Sequence, residues 1–353
     1  MNTFKQFDKK IENIPTATSW YLADLGEAKG KQELFTKQSP QKLKVLREHA
    51  LIESAVSSNR IEGVVVDEKR IATVVFGKTH LKDRDEEEIR SYRTALDWIH
   101  SDGAGIPISE KTILKLHQMS RGEIWDAGKY KEKEVDIIEK LPGGGEKIRF
   151  KTVNPRQTPD FTVELVQYWQ DALKEKTVHP LIALGAFNLD FLCIHPFRDG
   201  NGRVSRLLLL LQCYVLGYEA GRYISLERLI EQNKERYYDT LEQSSRGWHE
   251  GKHDPWPYIN YLLYILKTAY NEFENRVGEI KSPRGSKTEF ITAAIDAFEK
   301  DFTMADVENK CPGVSRDMIR TVLRHLQELK KVECLGRGPG AKWKKRGNTL
   351  KRG

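Results

Sequence analysis

No two of the four cysteines, Cys193, Cys213, Cys311 and Cys334, stand close enough to form a CxxC. That spacing argues against a zinc site or a disulfide framework and suits a reducing cytoplasm. The opening residues, MNTFKQFDKK, hold no apolar stretch, so no secretory signal is read there. No apolar run reaches the roughly 20 residues of a membrane helix. Pro180 to Ile194 is interrupted by Asn188 and Asp190, and Leu207 to Leu216 is too short. Both read as buried helices, and no membrane partner is expected. Internal repeats and low-complexity tracts are also missing. Hydrophobic residues at 39% and charged residues at 31% leave a globular chain with real cores, and 353 residues suggest two or three domains. The net charge of +7 is uneven: residues 286–353 hold 15 Lys+Arg against 9 Asp+Glu. A basic terminal module suggests an acidic partner such as nucleic acid.

The chain reads as mainly α. Leu43 to Ile61 forms a helix candidate ended by Gly63, a residue favoured just past a helix C-terminus. Asp85 to His100 has acids in its first turn and apolar residues at Ile89, Tyr92, Leu96 and Ile99, which is helical spacing. A helix from Ser109 to Met119 has Ser109 as N-cap. Lys133 to Glu139 and Lys147 to Val153 alternate on either side of LPGGGE, which predicts a β-hairpin. Further helices are expected over Phe161 to Lys174, Pro180 to Ile194, Val204 to Leu216, Leu226 to Gln243 and Trp256 to Glu279. The Pro/Gly-containing KSPRGS from Lys281 marks a domain boundary. The expected domains are 1–105, 106–280 and 281–353.

The stretch His195-Pro-Phe-Arg-Asp-Gly-Asn-Gly-Arg-Val-Ser-Arg206 joins two apolar helices. Pro196 stops the first helix. Gly200, Asn201 and Gly202 open the second, where unpaired N–H groups and the helix dipole make an anion seat. Arg203 and Arg206 are three apart and share a face, so two guanidiniums can clamp phosphate oxygens. Asp199 offers a hard oxygen to Mg²⁺, and the His195 imidazole can accept a proton near neutral pH. A base, a metal ligand, an anion cradle and two clamps within twelve residues suit phosphoryl or nucleotidyl transfer.

The string resembles the signature of the Fic family, HPFx(D/E)GNGRxxR, without departure. The resemblance covers roughly Ser57 to Leu266. It implies a fold of about eight helices with a β-hairpin flap that lines up a target segment. It implies AMP transfer from ATP to a Ser, Thr or Tyr hydroxyl of a protein, including the chain itself. In that scheme His195 deprotonates the hydroxyl and Asp199 holds Mg²⁺. Gly200 to Gly202 cradle phosphates, Arg203 and Arg206 take the β- and γ-phosphates, and Phe197 anchors the loop. Doc-like kinases of the family depart from the second half of the signature, so the intact Arg pair favours AMP transfer. Tyr237-Tyr238 resembles the family's Tyr pair near the nucleotide base, with a core role as the alternative. Ile137 and Ile138 of the hairpin are expected against the adenine.

Ser58-Asn-Arg-Ile-Glu62-Gly63 resembles the family's inhibitory motif (S/T)xxxE(G/N), here ahead of the catalytic core. Glu62 is expected to pair bidentately with Arg206, taking the guanidinium that the γ-phosphate needs. The segment from Ser286 resembles a winged helix-turn-helix. Phe302 to Val307 belongs to its second helix, CPGV is the turn, Ser315 to Lys330 is the recognition helix, and Val332 to Lys345 is the wing. DNA and a protein docking partner both remain open for this module, as does a homodimer for the chain. The competing function is a regulator whose core senses nucleotide while the module binds DNA; a toxin of a toxin–antitoxin pair is the third reading.

Overall fold

The computed structural model describes all residues except 9–12, 37–39, 78–79, 141–143, 279–285, 299, 312–313, 337, 339 and 347–353. The hairpin tip, most of KSPRGS with its boundary, and parts of the CPGV turn and the wing tip lie outside the described residues. No helix is long and apolar enough to cross a membrane among those described.

The chain is mainly α, as the apolar periodicities predict. The helices in order are α1 (Asn2–Asp8), α2 (Thr16–Thr36), α3 (Pro40–Ile61), α4 (Glu68–Phe76), α5 (Arg84–Asp102), α6 (Glu110–Arg121), α7 (Thr158–Glu175), α8 (Pro180–Ile194), α9 (Asn201–Val215), α10 (Leu226–Gln232), α11 (Lys234–Ser245) and α12 (Trp256–Gly278). Beyond them lie α13 (Ser286–Asp296), α14 (Met304–Lys310) and α15 (Arg316–Glu328). The strands are β1 (Ile137–Lys140), β2 (Glu146–Phe150), β3 (Phe302–Thr303), β4 (Val332–Cys334) and β5 (Lys342–Lys345).

α8 is the centre of the molecule. Every residue from Leu181 to Ile194 is buried, which a helix apolar on all sides requires. It packs on α1, α7, α9, α11 and α12. α9 follows directly and lies against α5 and α6. Pro180 sits in the first turn of α8 behind His179, whose Nδ1 accepts the Leu181 N–H. One apolar core runs from Met1 to Val277, and a second, from Ile291 to Val332, serves residues 286–346.

Three expectations need correction. The helix read over Leu226 to Gln243 is two helices, because Asn233 leaves helical geometry (φ −120°, ψ 33°) and turns its amide onto the Leu229 carbonyl. The hairpin strands are shorter than the alternation suggested. Thr152 donates to the Val135 carbonyl and to the Asp136 carboxylate, so side-chain bonds replace the ladder near the base. Phe302 and Thr303 form a strand beside β5, and Thr303 then caps α14 through a reciprocal capping box with Asp306.

Candidate active site

The loop between α8 and α9 is held from beneath by aromatic stacking. Phe197 is fully buried, and its ring lies 3.7 Å from that of His117 at an interplanar angle of 6°. Asn201 brackets the loop: its Oδ1 accepts the Phe197 N–H at 2.9 Å and its Nδ2 donates to the Phe197 carbonyl at 2.8 Å. The Asn201 side chain is thus a loop clamp, and its backbone opens α9. On the opposite side the Lys131 N–H donates to the Pro196 carbonyl, and the Lys131 ammonium donates to Thr152 Oγ1 and the Ile194 carbonyl.

His195 is the residue on which α8 ends. It takes a left-handed backbone (φ 53°, ψ 62°), which turns the chain and aims the half-buried side chain at the cleft. Its Nδ1 lies 3.3 Å from the Leu192 carbonyl. A carbonyl only accepts, so the proton sits on Nδ1 and Nε2 keeps its lone pair. Burial, helped by the Lys131 charge, pushes the imidazole down to about 4. At neutral pH His195 is therefore an uncharged base with a fixed tautomer.

His117 is fixed in the opposite sense. Its Nδ1 accepts the Gly128 N–H at 3.0 Å, so Nε2 carries the proton and donates to the Asp199 carbonyl at 3.1 Å. Burial pushes its imidazole down to about 4 as well.

Asp199 projects from the loop with its side chain 53% exposed. Oδ2 accepts from Arg121 at 2.7 Å, and Oδ1 accepts the Gly200 N–H at 2.6 Å. Burial opposes its charge, but the Arg121 and Arg203 guanidiniums outweigh it and hold the carboxyl below its usual range. Arg84 stands 3.9 Å from Oδ2 as well, and a half-exposed carboxylate of this kind is the hard oxygen donor that Mg²⁺ takes beside phosphate and water. No group of three or more His, Cys, Asp and Glu able to hold a metal occurs among the described residues.

The two arginines of α9 have different surroundings. Arg203 is 2% exposed. Its guanidinium pairs with Glu88 at 2.6 Å, reaches Asn59 at 3.3 Å and lies 3.8 Å from Asp199. Arg206 faces the end of α3. Its Nε donates to Ser58 Oγ at 2.8 Å, and its Nη2 donates to the Ser58 carbonyl at 2.9 Å and to Glu62 Oε1 at 2.8 Å. The contact with Glu62 is thus through one nitrogen, not the bidentate pair expected. Nε is spent on Ser58, and the α3 carbonyl, unpaired at a helix C-terminus, takes the rest.

What positions Glu62 is a Schellman motif. The Val64 N–H bonds the Asn59 carbonyl and the Gly63 N–H bonds the Arg60 carbonyl. Gly63 has φ +88°, which favours glycine and explains that residue type after the acid. The Glu62 carboxylate then lies over the first turn of α9. A Cβ placed on Gly202 would sit 2.2 Å from Glu62 Oε1, so only glycine admits the carboxylate there.

A cavity of about 310 Å³ adjoins these groups, lined by Glu62, Ile137, Phe150, His195, Gly202, Tyr237 and Tyr238 among others. Ile137 lines it, whereas Ile138 points outward, 48% exposed opposite Ile148. Tyr237 is buried against Tyr258 and Tyr261, and Tyr238 is half-buried with its hydroxyl 3.4 Å from the Ile61 carbonyl. Arg149 ties the hairpin to α11, donating to the Tyr238 carbonyl at 3.0 Å. Glu88, His117, Arg121, Lys131 and Arg149 escaped the sequence reading. They are scattered over α5, α6, the loop before β1 and β2, and nothing local distinguishes any of them from a solvated polar residue.

The Fic/DOC family profile matches residues 107–213, which span α6 to α9. The protein adenylyltransferase Fic of Culex quinquefasciatus is 23% identical over 250 residues, covering 68% of this chain and 45% of that protein. The chain thus spans less than half the length of this curated relative. A Fic family protein from Desulfovibrio desulfuricans G20 superposes with a TM-score of 0.59 at 23% identity, covering 95% of this chain and 97% of the other. A Fic domain containing signaling protein from Bacteroides thetaiotaomicron gives 0.60 at 21% identity, covering 73% and 99%. The signature loop and the helices that carry it thus lie in the part of the chain, residues 107–213, that is similar to the Fic/DOC family, on a fold shared with these solved structures.

Proposed function

We propose that this protein transfers AMP from ATP to a hydroxyl of a protein target, and that Glu62 restrains it. The observation that carries the reading is the pairing, in one loop, of a neutral His195 with a free Nε2 and a helix N-terminus that receives an anion. In the transfer, the target hydroxyl oxygen bonds to the α-phosphorus and its proton passes to His195 Nε2. The bond from the α-phosphorus to the α–β bridging oxygen breaks, and pyrophosphate leaves. Asp199 would hold Mg²⁺, which when bound neutralises phosphate charge. Arg206 would take a terminal phosphate once Glu62 gives it up. Gly200 to Gly202 would face the phosphates, and Ile137 and Tyr238 would border the base.

The inhibitory logic is electrostatic. Glu62 sits where a phosphate would sit, beside the positive end of α9 and on the Arg206 guanidinium. A triphosphate and this carboxylate repel each other at contact distance. The test is intact-mass spectrometry of the purified Glu62→Gly protein after incubation with Mg·ATP, beside the Glu62→Gly/His195→Ala variant. A gain of one AMP in the first and none in the second is expected. Equal gain in both would remove His195 as the base. No gain in either, with a panel of cell lysate proteins also unmodified, would overturn the transferase reading.

A further inference from the structure

We propose that residues 286–346 form a winged-helix module that binds double-stranded DNA by laying α15 in the major groove. The inference stands apart from the transferase reading and rests on how charge is sorted within this module. Residues 286–315 carry 3 Lys+Arg against 6 Asp+Glu, whereas residues 316–346 carry 10 against 3. The basic part is α15 and the β4–β5 hairpin, and the acidic part is α13, β3 and α14.

The helix that carries the charge is rigidly placed. Ile319, Val322, Leu323 and Leu326 are buried in the module's own core with Ile291, Val307 and Val332. Ser315 caps the helix, its Oγ accepting the Met318 N–H. The opposite face is exposed and carries Arg316, Arg320 and Arg324, four residues apart. At about 1.5 Å per residue the guanidiniums recur roughly every 6 Å along one side of the helix. Arg316 is ion-paired at 3.1 Å to half-buried Glu308 of α14 and Arg320 at 3.2 Å to exposed Asp317, and no partner of Arg324 occurs among the described residues.

The hairpin completes a groove. Arg320, Arg324 and Gln327 form one wall, and Gly336, Gly338 and Trp343 form another, around about 450 Å³. Lys342 and Lys344 are exposed on β5. A helix about 10–12 Å across fits the roughly 12 Å major groove of B-form DNA, with the hairpin left to reach the adjacent backbone. A flat anionic membrane is a poorer match, because the apolar stripe of α15 is buried and cannot insert. Double-stranded RNA is poorer too, since its major groove is narrow and deep.

The experiment is fluorescence anisotropy of a labelled 20-base-pair DNA duplex of mixed sequence, titrated with the full chain at several salt concentrations. Competitors are an RNA duplex of the same sequence and polyglutamate. The variant is Arg316→Glu/Arg320→Glu/Arg324→Glu. The control, Lys111→Glu/Lys174→Glu/Lys252→Glu, makes the same charge change at exposed positions outside the module. Thermal unfolding of both variants reports folding. Affinity should fall steeply with salt, the triple arginine variant should lose at least about 100-fold, and its log–log salt slope should flatten by about 3. The control should bind like the parent to within about 3-fold, since long-range charge is screened. Loss in a variant that has unfolded is read instead from Arg324→Ala alone, for which about 10-fold weakening is expected. Equal binding by the folded arginine variant and the parent, equal loss in the control, or equal competition by polyglutamate or duplex RNA would overturn the proposal.

Discussion

The base side and the phosphate side of the cleft are built on different terms. On the base side, core groups satisfy the loop. His195 donates to Leu192, Phe197 is stacked on His117, and Asn201 closes the loop on itself. On the phosphate side, Arg203 is locked in buried ion pairs with Glu88, while Arg206 is held by Ser58 and by Glu62, a residue beyond the end of α3 that is 32% exposed. In the reaction proposed above, the His195 base would be ready in the resting protein and the restraint would fall on the seat for the nucleotide. A carboxylate can leave Arg206 for solvent without exposing a core, whereas Glu88 cannot leave Arg203.

Removing Glu88 tests that contrast most severely. Its carboxylate serves Arg203 and Arg121, both 2–3% exposed. Glu88→Ala leaves two buried guanidiniums short of an anion and should cost about 3–5 kcal/mol in thermal or denaturant unfolding. A loss comparable to that of Glu62→Gly would erase the distinction between the two arginines.

Glu62→Gly should be the milder change in stability and the larger in activity. The pair is partly solvated, so unfolding free energy should move by no more than about 1 kcal/mol. The rate of self-modification should rise about 10- to 100-fold, the equivalent of one charge-assisted hydrogen bond released. Denaturant midpoints and the time course of mass gain give the two numbers. A large stability loss with no rate gain would make Glu62 a structural helix-end residue.

The smallest effect concerns pH. His195 has its imidazole pushed down to about 4, below the ordinary histidine value, so it stays neutral above that pH and gains a proton only below it. The Glu62 carboxylate raises that value, so in the Glu62→Gly background the acid limb of activity should fall at about pH 4 or lower and not near 6.5. Lys131 contributes by placing a positive charge beside the ring, and its own ammonium is pushed down to about 8 by burial. Lys131→Met should move the acid limb upward, toward the value of a free histidine. A limb unmoved by that substitution would assign the shift to burial alone.

Much of this was local and therefore legible. The order of residues from His195 to Arg206 sets the helix stop, the glycine opening of α9 and the candidate base, since each depends on neighbours a few residues away. Gly63 after Glu62 announced the end of α3 because a left-handed residue closes a Schellman motif. The helices from Pro180 to Ile194 and from Ser109 onward followed from apolar period and caps. Asn233 broke a helix that the period alone carried through, because a side-chain bond to Leu229 competes with the backbone ladder. What the fold alone decided was which partner each charge receives. Arg203 and Arg206 read alike in sequence, as two phosphate clamps on one face. Tertiary packing gave one to Glu88 on α5 and the other to Ser58 and Glu62 at the end of α3. Ion pairing and burial depend on distance in space, and the residues concerned stand more than a hundred positions apart along the chain.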